Sequence, residues 1–171
     1  MRHLTPTDII QLLDREPLFR ELAQTADRLQ LECYVVGGYV RDLFLERPTN
    51  DIDIVVVGSG IAMAEALTKR LGRAAHLSVF KNFGTAQVKY HHQEIEFVGA
   101  RRESYSHDSR KPIVEDGTLE DDQMRRDFTI NALAVCLNTA RYGDLVDPFD
   151  GLWDLEAGLL RTPTAPEITF S

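Results

Sequence analysis

The stretch VVGGYVRDLFLERPTNDIDIVVVG, Val35 to Gly58, constrains the fold more than any other part of the chain. Cys33 to Val36 is short and apolar and stops at Gly37-Gly38, which predicts a strand followed by a turn. Tyr39 to Leu45 reads as a short helix, Pro48-Thr49-Asn50 as a loop, and Asp51 to Val57 as a second strand. Strand, turn, helix and strand in so few residues imply an α/β sheet with helices packed against it. The second strand opens on Asp-Ile-Asp, although aspartate is depleted in strands and neighbouring like charges repel.

The rest of the chain fits the same class. Thr7 or Asp8 can cap a helix through Leu13, and a second helix begins at Pro17 with Leu18, Leu22, Ala26 and Leu29 on one face. Ile61 to Leu71 reads as a helix ended by Gly72. Ala86 to Tyr90 and Glu94 to Val98 read as strands joined by a turn at His91-His92-Gln93. Residues 100–124 are polar and charged and read as a mobile loop. Thr129 to Ala132 predicts a helical turn, Leu133 to Asn138 a strand, and Asp147 to Gly151 a turn before a short helix. The sum is about five short strands with flanking helices.

Side chains alternate along a strand, so Asp51 and Asp53 share a face with their Cα atoms ~6.6 Å apart. Two carboxylates at that spacing can hold a divalent cation, and hard oxygen ligands beside phosphate suit Mg2+. Alone, the pattern better describes a strand whose solvent face is acidic. Gly37-Gly38 adds a second element, because a turn opening a helix presents backbone N–H groups to an anion. Arg41, one turn on, can reach the same anion. Together they describe a site for a metal-bound triphosphate. Glu94 and Glu96 point the same way along their strand, and Glu96 is the candidate third carboxylate or, equally, part of an exposed acidic edge. In MRRDFTINALAV, Met124 to Val135, an arginine of the Arg125-Arg126 pair can neutralise phosphate, while Asp127 and Asn131, four apart and on one face, can bond ribose hydroxyls. A helix with an aspartate cap and a backbone-satisfied asparagine is the plainer alternative. His91, His92 and His107 show no metal-ligand spacing.

The formal net charge of -8 argues against a surface that grips a long nucleic acid by itself, although Arg101, Arg102, Arg110, Lys111, Arg125 and Arg126 are concentrated in one region. No apolar run is long enough for a membrane span, and Cys33 and Cys136 each lie in an apolar run, as buried thiols do in a reducing compartment such as the cytoplasm.

GGYVRD with DIDIVV, RRESYSHDSRKP, RRDFTINALA and DLVDPFDGLWDLEAGLLRTP resemble, in order, the head-domain motifs of the class II tRNA nucleotidyltransferase (CCA-adding) and bacterial poly(A) polymerase family. The resemblance runs from about Tyr34 to Phe170. It implies a DNA polymerase β-like nucleotidyltransferase fold with a five-stranded sheet. It also implies metal binding by Asp51 and Asp53, and nucleotide contacts at Gly38, Arg41 and Arg126, with Asp127 and Asn131 near the ribose. The implied partners are ATP, CTP and the tRNA 3′ end, with two-metal transfer of CMP and AMP in CCA addition. Poly(A) synthesis, or a nucleotide-binding module without independent activity, stays open as an alternative. SVFKNFGTAQV departs from the basic GRRF-type stretch of the poly(A) branch and is closer to the CCA-adding branch. The resemblance divides the chain into a helical segment at 1–30, a catalytic head at 31–150 and a truncated start of a neck at 151–171. The family's base-reading residues are expected beyond Ser171.

Overall fold

A computed structural model describes residues 4–105, 112–163 and 165–170. Helices α1 (Pro6–Leu13) and α2 (Leu18–Leu29) precede the first unit, β1 (Glu32–Val36), α3 (Gly38–Phe44), β2 (Asp51–Val57) and α4 (Gly60–Leu71). Strands β3 (Ala75–Phe80), β4 (Thr85–Tyr90) and β5 (Gln93–Gly99) follow, then β6 (Arg101–Tyr105), β7 (Pro112–Asp116) and α5 (Leu119–Met124). The described chain ends through β8 (Ala134–Cys136), β9 (Leu145–Val146), α6 (Gly151–Ala157), β10 (Leu160–Thr162) and β11 (Ala165–Phe170).

The main sheet has seven strands in the order β3-β4-β5-β2-β1-β8-β9, with β10-β11 and β6-β7 as separate pairs. Five strands were expected, and β3 and β9 were not among them. β9 is two residues long and too short for a pattern, whereas β3 alternates Ala75, Leu77 and Val79 inward with His76 and Ser78 outward, a strand signal that sequence reasoning passed over. β2 pairs with β5 in parallel, and the other pairings of the main sheet are antiparallel.

One face of the sheet carries the larger core. Ile52, Ile54 and Val56 of β2 and Ile95 and Phe97 of β5 pack there with Leu13, Phe19, Leu22, Val40 and Leu67 from α1 to α4. The N-terminal helices therefore share the core of the sheet. α1 starts at a capping box, with the Asp8 N–H donating to Thr5 Oγ1 at 3.2 Å and Pro6 in the first helical position. The cap is Thr5, not the expected Thr7 or Asp8. α2 runs as predicted, although Leu29, at its end, is exposed. On the other face a smaller cluster, Tyr34, Val36, Val55, Ala134 and Cys136, is covered by Leu119 of α5. Asp51 and Glu96, farther along this face, stay exposed. Cys33 and Cys136 are free and buried, as their apolar surroundings predicted, and burial pushes both thiols above their ordinary range.

The stretch read as a mobile loop, 100–124, is largely ordered secondary structure. β6 and β7 pair from Arg101↔Asp116 to Tyr105↔Pro112, and α5 follows behind a Thr118–Asp121 capping box. The sequences RRESY and PIVED carry no apolar alternation, which is why the pairing was not expected. The tip, 106–111, with His107, Arg110 and Lys111, lies outside the described residues. His91 takes φ 55° in the turn between β4 and β5, as the hairpin reading requires.

The end of α2 is tied to the turn after β8. Asp27 accepts from the Thr139 N–H at 3.3 Å and from Asn138 Nδ2 at 3.2 Å, while Asn138 Oδ1 accepts from the Cys33 N–H at 2.9 Å. Bonds from Thr139 and then Asn138 hold the Asp27 carboxyl below its usual 3.8 against partial burial. A lowered carboxyl adds stability above the unfolded value and loses it as pH falls through the folded value. Asp27→Ala should cost on the order of 0.5 kcal/mol at neutral pH, because the site is exposed. Chemical denaturation at several pH values checks this, and the gap to wild type should close below pH 3.8.

Candidate active site

Three segments distant in sequence meet at Gly37. Its φ of 70° lies in the left-handed region, which favours glycine where β1 turns into α3. A Cβ at Gly37 would lie 3.4 Å from Arg126 Nη1, 3.7 Å from the Asn131 carbonyl oxygen and 3.8 Å from Asp53 Oδ2. The Gly37 N–H donates to the Leu133 carbonyl at 3.1 Å, so it is not available to an anion. The donors open to one are the first-turn amides of α3, from Gly38 onward, which have no intrahelical acceptor.

Register sets the carboxylates. Asp53 stands opposite Val36 of β1 and Glu96 of β5, and Asp51 opposite Glu94. All four acidic residues thus share the face away from the larger core, as alternation predicted. Asp53 is half-buried, and burial raises its carboxyl above the usual 3.8; Arg126 opposes that rise and Asp51 adds to it. Among the described residues, no three His, Cys, Asp or Glu side chains gather closely enough to hold a metal ion. The Asp51–Asp53 pair still fits magnesium, which is commonly held by one or two carboxylates with waters and substrate phosphates completing its shell. A cation there would offset the charge repulsion that made Asp-Ile-Asp costly in a strand.

Arg41 lies over the same turn: a Cβ at Gly38 would be 3.3 Å from its Nη2. Its Nη1 donates to Asn131 Oδ1 at 2.9 Å, and Asn131 Nδ2 donates to Asp127 Oδ1 at 3.1 Å. The three form one chain of side-chain hydrogen bonds, in place of a backbone-satisfied asparagine. The expected short helix is only a 3-10 turn, Thr129–Asn131, entered through an extended Phe128. Asp127 therefore meets Asn131 across a turn rather than along a helix face.

Sequence reasoning missed Asp122. This fully buried carboxylate accepts from Arg125 Nη2 at 2.9 Å and from Arg126 Nη2 at 3.0 Å. Its spacing of three and four residues before Arg125 and Arg126 was a readable ion-pair signal.

An open sheet face with an acidic pair, a glycine turn and two nearby arginines has the donors and charges that a metal-bound polyphosphate would require. Residues 33–161 match the family described as the Poly A polymerase head domain, and the chain belongs to that family. It is 44% identical over 131 residues to the A-adding tRNA nucleotidyltransferase of Aquifex aeolicus (strain VF5), covering 77% of this chain and 16% of the relative. Across the three most similar curated relatives the chain spans 16–36% of their length. A solved tRNA nucleotidyltransferase, complexed with a primer tRNA and an incoming ATP analog, matches with TM-score 0.72 and 39% identity over 83% of this chain and 38% of that one. A CCA-adding enzyme solved with CTP matches with TM-score 0.73 and 36% identity over 86% of this chain and 32% of that one. The fold is therefore the nucleotidyltransferase α/β fold of those structures.

Proposed function

We propose that this chain is the catalytic head of a template-independent RNA nucleotidyltransferase that transfers CMP or AMP from CTP or ATP to the 3′ end of a tRNA. The carrying observation is the junction at Gly37, where Arg126 and Asp53 approach one backbone turn from different segments. In this reading the α3 amides and Arg41 hold the triphosphate, and Arg126 faces its charge. Asp127 and Asn131 take the ribose hydroxyls, with Arg41 fixing the Asn131 amide. The RNA 3′ hydroxyl attacks the α-phosphorus; a P–O bond forms, the bond to the β-phosphate breaks, and pyrophosphate leaves. Asp51 and Asp53 would hold magnesium, with Glu96 the carboxylate opposite Asp53 in register. When bound, magnesium supplies charge neutralisation on the triphosphate and a lowered pKa at the attacking hydroxyl. Everything else the chain contributes is positioning and electrostatics. The buried free thiols accord with work in a reducing compartment, the cytoplasm.

None of these residues reads a base edge, and specificity is a difference of affinities. The chain should bind magnesium–ATP and magnesium–CTP with dissociation constants within about tenfold of each other, ~1.4 kcal/mol. Calorimetric titration with each nucleotide, with and without magnesium, is the test. Absent binding of either nucleotide would sink the proposal, and a larger preference would place base selection within these residues.

A further inference from the structure

We propose that Asp122 is a positioning residue for the triphosphate site, one that decides which edge of the Arg126 guanidinium faces the glycine turn; this rests on the triphosphate reading above.

α5 carries two adjacent aspartates with different work. Asp121 closes the capping box, its Oδ2 accepting from the Thr118 N–H at 2.9 Å. Asp122 turns inward and is completely buried. Burying a carboxylate is costly unless it is paired and hydrogen-bonded, and Asp122 is both. Its Oδ1 accepts from Arg125 Nη2 at 2.9 Å, and its Oδ2 from Arg126 Nε at 3.2 Å and Nη2 at 3.0 Å.

A guanidinium is a planar fork with separate donor edges. Asp122 occupies the Nε/Nη2 edge of Arg126, and the remaining nitrogen, Nη1, is the one that lies against Gly37. One carboxylate also serves two guanidiniums, so the cluster keeps a positive charge. That charge lies beside the turn where an anion would bind and next to Asp53.

The platform is fixed from the other side. The neighbouring Gln123 is buried and donates from Nε2 to the Ala132 carbonyl at 2.8 Å and to the Val146 carbonyl at 3.0 Å. α5 is thereby fastened to Ala132, just before β8, and to Val146 of β9, and Asp122 holds Arg126 from a fixed point. An arginine so held loses little freedom when it meets a phosphate, which is how preorganisation raises affinity.

A double-mutant cycle read by calorimetry with magnesium–ATP tests this. Asp122→Asn should weaken binding at least about tenfold, the scale of a charge-assisted hydrogen bond. In an Arg126→Gln background the same change should cost less than about threefold, because its effect passes through Arg126. Arg125→Gln should stay within about threefold of wild type. A merely structural Asp122 would give additive losses, and additivity, or unchanged binding in a folded Asp122→Asn protein, overturns the proposal. Where Asp122→Asn fails to fold, Arg126→Lys reads the same geometry with Asp122 intact. An ammonium cannot both occupy Asp122 and present a second nitrogen at Gly37, so binding should again weaken at least about tenfold. Wild-type affinity in Arg126→Lys counts against the fork. Failure of the wild-type protein to bind magnesium–ATP would be a failure of the triphosphate reading instead. The positioning claim would still be decided by nuclear magnetic resonance of the Arg126 Nε–H without nucleotide. Slow exchange that becomes fast in Asp122→Asn supports it; fast exchange in wild type overturns it.

Discussion

Asp51→Ala or Asp53→Ala should each reduce nucleotide incorporation at least roughly a thousandfold, equivalent to about 4 kcal/mol of transition-state stabilisation. The pair shares one sheet face, and among the described residues no third His, Cys, Asp or Glu gathers with it into a group that could hold a metal ion. Asp53 carries a second consequence of opposite sign. Burial raises its carboxyl above 3.8, with Arg126 opposing and Asp51 adding, so ionising it costs more in the folded than in the unfolded chain. Stability from this group is then greatest below the unfolded value and declines as pH rises through the folded one. Asp53→Asn removes that liability, and at neutral pH and without metal it should melt at or above the wild-type temperature while incorporation is lost. Near-wild-type turnover in both alanine variants would end the metal assignment. A clear drop in melting temperature for Asp53→Asn would show that the carboxylate supports the fold.

Gly151→Ala should be the most damaging small substitution away from the acidic pair. A Cβ at Gly151 would run into the Thr129 carbonyl oxygen and lie 3.1 Å from Leu133 Cδ2. The obstacle is backbone, so relief requires α6 or the Thr129–Asn131 turn to move. Neither moves freely. The Gly151 and Leu152 N–H groups donate to the Asp147 carboxylate at 2.6 and 3.1 Å, and Thr129 Oγ1 donates to Asp154 of α6. Overpacking of this kind costs about 3 kcal/mol, or roughly 6–12 °C in melting temperature for a chain of this size. Because Asn131 sits in the displaced turn, magnesium–ATP binding should weaken as well. Melting within about 2 °C of wild type would show that the close approach is easily relieved.

The site was legible where chemistry is written locally. Gly37-Gly38, Arg41 and the aspartate pair fall within one strand–turn–helix–strand unit, and alternation alone put Asp51 and Asp53 on one face. Arg126, Asp127 and Asn131 could be nominated by residue type, but their link to Arg41 depends on β8 pairing with β1, which local pattern does not encode. Asp122 was hidden among five acidic residues between Glu115 and Asp122, and burial, not identity, separates it from Asp121. β6 and β7 escaped because their short, largely polar sequences carry no apolar period.

Val36 has Asp53 beside it on one flank and Ala134 on the other. The first neighbour is reached by a short loop, whereas the second needs the whole intervening chain to have been made and folded back. Contacts of such different separation form on different schedules, the distant ones last. During synthesis from the N-terminus the acidic pair and the glycine turn therefore exist before Arg126 can join them. In that interval the half-built site has Arg41 beside the acidic pair but lacks Arg126, so its positive charge is incomplete. On the proposed reading, full nucleotide affinity would be a late property of the folding chain, arriving with the segment that leads into β8.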